Sequence, residues 1–360
     1  MGKTLYLHIG HYKTGTTALQ LFLQNSGRFL RKNGFNYPDV WMRNSKHSPL
    51  VFSVLRAAGV EKQMYDFRDP TPPAQMWGDL FDTINKSTLP GTIISSEEFM
   101  RIGQFPAAEA ILKQVLDMRP MGLRVCAVAY LREPDAHLRS WYNQLVKMNQ
   151  QVSNLNAAVD GDIEDIHIDY RCALEPWQRL LGRENVIIRP YVRSADEPDA
   201  LHRDFMAALG VSLPKGQVSP QRDPNPRFDD RALELVRLMQ NLGLPRGSVH
   251  AIRSRAIAYL EAQDAQVPGR ANGMAAAQAR ARAGLDWLAS QVNCTVPVRD
   301  FAEHLMQPVP QHEVDQNLLL GFVFSEFIQL RQRFNAADLG DINERLEKLE
   351  ARLKALDKQA

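Results

Sequence analysis

The chain reads as an α/β protein with a mainly parallel sheet flanked by helices. It carries a phosphate-loop-like site, and a helical C-terminal region ends it in a short coiled coil. Three observations lead there. Short apolar runs of strand character, Thr4 to Ile9, Thr92 to Ser95 and Leu123 to Leu131, alternate with stretches of helical periodicity, the pattern that winds a parallel sheet. The first run enters a glycine-bearing turn that opens a helix. The third delivers an arginine, Arg132, at its carboxyl end.

The turn after the first strand is His8-Ile9-Gly10-His11-Tyr12-Lys13-Thr14-Gly15-Thr16-Thr17. Gly10 and Gly15 keep the spacing of an ordinary phosphate loop, G-x-x-x-x-G-K-[ST], in which lysine follows the second glycine. Here Thr16 stands in that place and the lysine, Lys13, lies inside the loop. Ala18, Leu19, Phe22, Leu23, Phe29 and Leu30 recur at helical spacing, so a helix is expected to begin near Thr16 and to stop before Gly34, Tyr37 and Pro38. A strand, a tight turn and a helix N-terminus aim several backbone N–H groups at one point, which suits an anion. The competing reading is a strand-to-helix turn that uses glycine only for its backbone freedom.

Pro90-Gly91 precedes the second strand, and two carboxylates, Glu97 and Glu98, follow it in Ser95-Ser96-Glu97-Glu98-Phe99. A helix from about Pro106 to Met118 returns the chain to the third strand. After Arg132 come Glu133-Pro134 and a helix in which Leu138, Tyr142, Leu145 and Val146 share a face and Ser140 lies two turns beyond the arginine. An arginine at a strand's carboxyl end with a serine on the next helix can grip a phosphate at the edge of an open α/β sheet. Taken alone, Arg132 would more readily pair with a surface carboxylate, with Ser140 merely facing solvent.

Together the two segments resemble the sulfotransferase family that uses 3′-phosphoadenosine 5′-phosphosulfate (PAPS). Tyr12-Lys13-Thr14-Gly15-Thr16-Thr17 is similar to its first motif, and Arg132-Glu133-Pro134 with Ser140 and Tyr142 is similar to its second. Leu7 to Gly10, Asn33 to Pro38, Ile94 to Glu97 and Val186 to Tyr191 resemble the soluble bacterial branch, so the likeness spans about the first 210 residues. The resemblance implies that Tyr12, Lys13, Thr14, Gly15, Thr16 and Thr17 hold the 5′-phosphosulfate, that Arg132 and Ser140 hold the 3′-phosphate, and that Tyr191 joins the donor site. Lys13 would steady the leaving group, and no metal is implied. For the base that deprotonates the acceptor, the resemblance points to Glu97 first, then Glu98, with His47 third. The acceptor it suggests is a hydroxyl or amine, foremost a carbohydrate hydroxyl. Trp41, Tyr65, Trp77 and Trp141 are candidates for a sugar-binding floor, and core packing explains each equally well.

Composition sets bounds. Lys and Arg total 43 against 41 Asp and Glu, a net charge of +2, which gives a nucleic-acid partner no global support. Residues 1 to 60 are locally basic, as a multiply anionic ligand requires. Three widely spaced cysteines without a C-x-x-C pair, and histidines without an H-x-x-x-H pattern, are expected to build neither a disulfide nor a zinc site. With no apolar run near the ~20 residues of a membrane span and a first strand beginning at once, the chain is expected to be cytoplasmic and not inserted in a membrane.

Three regions are expected: a core over 1–215, a mainly helical extension or lid over 216–335, and a coiled-coil helix over 336–360. Ser219 to Pro226 reads as a linker, and the Ala/Arg/Gln-rich stretch from Gly269 to Ala283 as a flap. Leu339, Ile342, Leu346, Leu349, Leu353 and Leu356 alternate spacings of three and four. In a parallel homo-oligomer joined through 339–356 they would set Arg345 against Glu350 and Arg352 against Asp357. Two other classes stand beside the transferase. A nucleotide kinase or triphosphatase accounts loosely for the loop but not for Lys13 or Arg132. A coiled-coil adaptor accounts for the C-terminus alone.

Overall fold

The structure is a computed structural model that describes residues 2–61, 63, 67–152, 155–192, 197–215, 230–241, 245–263, 270–271, 275–307 and 310–311, with short runs between 322 and 349. Two compact units result, residues 1–228 with 273–308, and residues 229–272 with 309–360.

The first unit is an α/β layer structure. Its sheet contains β1 (Thr4–Gly10), β2 (Phe35–Asn36), β3 (Gly91–Ser95), β4 (Arg124–Leu131) and β5 (Val186–Pro190), in the order β2-β3-β1-β4-β5 with every pairing parallel. Helices fill the connections: α1 (Thr16–Asn25), α2 (Gly27–Lys32), α3 (Ser48–Ala57), α4 (Pro73–Lys86), α5 (Pro106–Asp117), α6 (Pro134–Lys147), the short α7 (Leu155–Ala158), α8 (Tyr170–Leu181) and α9 (Ala200–Ala208). The three strands expected from sequence are thus present within a residue or two. The single helix expected after the loop is two, because the chain breaks at Ser26 between α1 and α2.

β1 is central, so both its faces need cover. Leu5, Leu7 and Ile9 are fully buried on one side. On the other, His8 is buried too and shares a 2.7 Å hydrogen bond with Ser95 Oγ of the neighbouring strand, which answers its polarity. Leu19, Phe22, Leu23 and Leu30 of α1 and α2 pack with Phe205, Met206 and Leu209 at one face of the sheet. A second aromatic group, Trp77, Phe99 and Trp177, interlocks edge to face with centroids 5.6 to 6.2 Å apart. Trp77 is therefore core, its Nε1–H donating to Leu50 O at 3.2 Å, and not a sugar floor.

The chain leaves β1 toward β2 on one side, and after β3 it crosses to β4 on the other. The carboxyl ends of β1 and β4 therefore border a crevice, the place where open α/β sheets bind ligands.

The same unit takes in α12 (Ala275–Ala289) and α13 (Val298–Glu303). Residues 275–283, expected as a flap, are instead the first turns of α12, which packs on α8. Ala277, Ala281 and Gly284 are among its buried residues, and a Cβ at Gly284 would meet Asp169 Oδ1 at 2.4 Å and Tyr170 N at 3.0 Å, so glycine lets α12 close on the start of α8. Beyond α12, Asn293 and Thr295 hydrogen-bond Ile188 from the outer side of β5 and cover that sheet edge.

In the second unit α10 (Asp230–Asn241) packs on α11 (Arg246–Gln263), and Arg255 of α11 makes an ion pair with Glu326 at 2.7 Å. β6 (Arg270–Ala271) and β7 (Pro310–Gln311) form a two-residue antiparallel ladder. Of the heptad stretch 339–356, residues 347–349 are helical and the rest lies outside the described residues, as do Tyr65 and the linker 219–226. Among the described residues no helix is long and apolar enough to cross a membrane.

Candidate active site

Adjacent strands bring the expected residues to one edge. The loop 11–15 leaves β1, Arg132 follows β4 on one side, Glu97 and Glu98 follow β3 on the other, and Tyr191 follows β5. The loop's conformation is costly. Lys13 sits at φ 64° between Gly10 at 76° and Gly15 at 74°, and a left-handed non-glycine residue costs roughly 1–2 kcal/mol. Strain of this kind persists where the surroundings hold it. Here Thr14 Oγ1 donates to His11 O at 2.6 Å, His11 N donates to Tyr130 O at 3.2 Å across to β4, and Lys13 Nζ donates to Gln144 Oε1 of α6 at 3.2 Å. Glycine is required at both ends. A Cβ at Gly10 would meet Glu97 Cβ at 3.1 Å, and one at Gly15 would meet Leu201 Cδ2 at 2.6 Å and Tyr191 Cε2 at 3.0 Å. Tyr191 thereby closes on the loop from β5. Gly15 caps α1, so Thr16 and Thr17 form its first turn, where backbone N–H groups lack helical partners. Thr14 and Thr16 are buried and Thr17 is exposed.

Arg132 and Ser140 are half-buried, the first just after β4 and the second on α6. The carbonyl of Arg132 accepts a hydrogen bond from Tyr170 Oη, which pins the strand end. Arg132 and Lys13 both bear on His137: burial is the main cause that holds its pKa far below the usual value, and the two cations add to the effect.

The two carboxylates differ in state. Glu97 Oε1 pairs with Lys46, and its Oε2 accepts from Gln20 Nε2 at 2.9 Å. Burial alone would raise its pKa, yet the Lys46 charge and these hydrogen bonds outweigh it and hold the group below the ordinary carboxylate range. Glu98 is pushed up to about 7, first by burial and then by the charge of Glu97, against the hydrogen bond from Tyr12 and the charges of Arg101 and Lys46. Tyr12 Oη donates to Glu98 Oε2 at 2.7 Å, and Glu98 Oε1 is buried without a hydrogen-bond partner. Glu98, rather than the first-ranked Glu97, thus has both an uncommitted oxygen and a pKa near neutrality. Ser96 Oγ fixes its backbone, accepting Glu98 N–H at 3.2 Å at the start of a 3-10 helix over Glu97–Gln104.

His47 is not arranged as a base. Ser95 N–H donates to its Nδ1 at 3.2 Å, so Nε2 carries the hydrogen and donates to Pro38 O at 2.8 Å. Both nitrogens are committed to backbone, and burial lowers the pKa to about 4. Its role is to fasten the segment before α3 to β3. That segment carries Lys46 to Glu97 and has positive φ at Trp41, Asn44 and Ser45. Trp41 Nε1 donates to Asp79 at 2.9 Å, and Trp141 is buried against Tyr12 and His167.

Lys46, Gln20 and Gln144 were not singled out from sequence, since each lies far along the chain from its partner. The same holds for a histidine cluster beside the loop. His11, His137 and His167 are fully buried with ligand atoms within 4.8 Å of one another, the one such group among the described residues. It does not fit a metal. Tyr12 N–H donates to His11 Nδ1 at 2.8 Å, so His11 Nε2–H donates to Ile166 O at 2.8 Å and no lone pair remains. His137 Nδ1 and His167 Nε2, the nitrogens a second shell would hold, have no hydrogen-bond partner. A cavity of about 560 Å³ lies along 117–124, at the opposite, amino end of β4.

No protein-family model matches the chain. A protein of Archaeoglobus fulgidus described as uncharacterized is 28% identical over 127 residues, 35% of this chain and 32% of that protein, so the likeness spans about a third of the relative's length. The crystal structure of a sulfotransferase from Alicyclobacillus acidocaldarius is 16% identical and covers 69% of this chain and 100% of its own, with a TM-score of 0.34. A likeness that slight decides nothing about the chemistry.

Proposed function

We propose that this chain is a sulfotransferase that moves a sulfuryl group from PAPS to a hydroxyl acceptor, foremost that of a carbohydrate. One observation carries the reading. The strained Lys13 loop and Arg132 leave neighbouring parallel strands at one sheet edge, and a buried carboxyl poised near neutrality follows the strand on the loop's other side.

The donor's contribution is an activated S–O bond to the adenosine 5′-phosphate. The chain's residues do the rest by position and charge. The N–H groups at the start of α1 and the Lys13 ammonium hold the 5′ end. Arg132 and Ser140 grip the 3′-phosphate by charge-assisted hydrogen bonds. Tyr191 packs beside Gly15 and bounds the site. Glu98 takes the proton from the acceptor as its oxygen forms a new bond to sulfur and the S–O bond to the bridging oxygen breaks. The electron pair passes to that oxygen, where Lys13 faces the developing charge. A base works best with a pKa near the working pH, and Glu98 meets that condition better than the ion-paired Glu97. Glu97, locked to Lys46 and Gln20, keeps a negative charge that helps raise Glu98.

The test is transfer of radiolabel from sulfur-labelled PAPS to a panel of sugars, small alcohols, lipids and peptides. Labelled product that disappears in Lys13→Ala and Glu98→Gln is expected. Absence of any transfer or donor hydrolysis, together with magnesium-dependent ATP hydrolysis, overturns the reading in favour of a nucleoside triphosphatase.

A further inference from the structure

The histidine cluster has no task in the chemistry above, yet it joins three elements of the site. His11 belongs to the donor loop, His137 to the first turns of α6 ahead of Ser140, and His167 to the 3-10 turn Asp165–His167. Each pair is in contact. His11 Nε2–H donates to the Ile166 carbonyl at 2.8 Å and ties the loop to the turn. His137 Nε2 and His167 Nδ1 share a hydrogen bond at 3.1 Å and tie the turn to α6, where Trp141 also stacks on His167 with centroids 4.0 Å apart. The His11 ring meets the His137 ring edge-on at 4.3 Å and closes the triangle. Inside the loop, Tyr12 N–H donates to His11 Nδ1 at 2.8 Å, so the ring also sets the backbone that enters the strained Lys13.

We infer that His11 is a positioning residue: through the His137–His167 pair it holds the 5′ grip of the loop in register with the 3′ grip of Arg132 and Ser140. This inference rests on the proposed donor. A ligand with phosphates at both ends gains from two grips only if their spacing is set beforehand. Otherwise it must bring the two grips into register as it binds, and affinity falls by that cost. A ligand with one phosphate uses one grip and is indifferent to the spacing. His11 therefore acts on the sum of the two grips, not on either alone.

Two substitutions separate the two sides of the ring. In His11→Asn the side-chain oxygen stands where Nδ1 was and accepts from Tyr12 N–H, but the reach to Ile166 O is lost. In His11→Gln the amide nitrogen stands where Nε2 was and keeps that reach. Calorimetric affinities of the full chain for 3′-phosphoadenosine 5′-phosphate, adenosine 5′-monophosphate and adenosine 3′-monophosphate provide the readout. The wild type is expected to prefer the bisphosphate. His11→Asn is expected to lose about tenfold in bisphosphate affinity, the scale of one buried hydrogen bond, with both monophosphates within about twofold. His11→Gln, which frees Tyr12 N–H but keeps the reach to Ile166 O, is expected to keep the wild-type preference for the bisphosphate over both monophosphates. Equal losses for all three ligands, or no loss in His11→Asn, overturn the inference while leaving the donor assignment intact. A wild type without bisphosphate preference overturns the donor assignment itself. If His11→Asn does not fold, His167→Gln is read the same way, since it removes the bond to His137 that ties the turn to α6 while His11 keeps its bond to the Ile166 carbonyl.

Discussion

Replacing Glu98 by glutamine isolates the carboxyl on which the proposed proton transfer depends. The group ionises near 4.5 in an unfolded chain and at about 7 in the folded one, where burial and the Glu97 charge oppose ionisation. The sign follows from proton counts. Between those values the folded state holds the proton and the unfolded state has lost it, so wild-type stability gains from the group at low pH and loses as pH rises through 7. At about 1.4 kcal/mol per pKa unit, the gap of about 2.5 units withdraws roughly 3 kcal/mol from wild type that Glu98→Gln, neutral at every pH, does not lose. Guanidinium unfolding of both proteins at pH 5 and pH 8 gives the comparison. The variant should gain about 2–3 kcal/mol on wild type between the two values, while its transfer rate falls at both. Parallel stability curves would show that Glu98 is not held protonated near neutrality, and the assignment of the base would fail with it.

Further outcomes follow from the same geometry. Lys13→Ala should cost on the order of 100- to 1000-fold in turnover, the scale of one lost donor at a developing charge, with a small change in melting temperature; steady-state kinetics and thermal unfolding measure the two. Gly15→Ala should destabilise by about 1–3 kcal/mol, since it combines a left-handed backbone with contacts at 2.6 Å to Leu201 and 3.0 Å to Tyr191, and denaturant midpoints will report it. Burial holds His8, His11 and His47 at about 4, below their unfolded value of 6.5, so each keeps its stabilising effect above pH 6.5 and loses it as pH falls toward 4, by about 3 kcal/mol apiece. Acid unfolding should therefore be steep across that window and shift downward in pH for His8→Gln. Truncation after Phe334 should leave donor affinity unchanged and lower the mass measured by sedimentation, as a self-associating 339–356 requires.

The parts of this molecule that local chemistry encodes were legible in its sequence. The strands at 4–10, 91–95 and 124–131 announce themselves as apolar runs, and the loop announces itself by Gly10 and Gly15, both of which adopt positive φ. What depends on distant contacts was not. Glu97 and Glu98 are chemically alike in sequence. They part only because Lys46, 51 residues away, and Gln20, 77 away, reach one and Tyr12, 86 away, reaches the other. His47 looked available until Pro38 and Ser95 took both its nitrogens. The Ala/Arg/Gln-rich stretch from Gly269 to Ala283 suggested a flap, yet its residues 275–283 begin α12, which closes on the start of α8 where Gly284 carries no Cβ.

The proposed function requires a site built for two phosphates, and its direct test is a calorimetric titration of the wild-type chain with 3′-phosphoadenosine 5′-phosphate against adenosine 5′-monophosphate. The ligands differ only in the phosphate assigned to Arg132 and Ser140. Charge-assisted hydrogen bonds worth roughly 1.5–3 kcal/mol each predict a preference of about tenfold or more for the bisphosphate, abolished in Arg132→Ala. Equal affinity for the two ligands, or binding of neither, would contradict it.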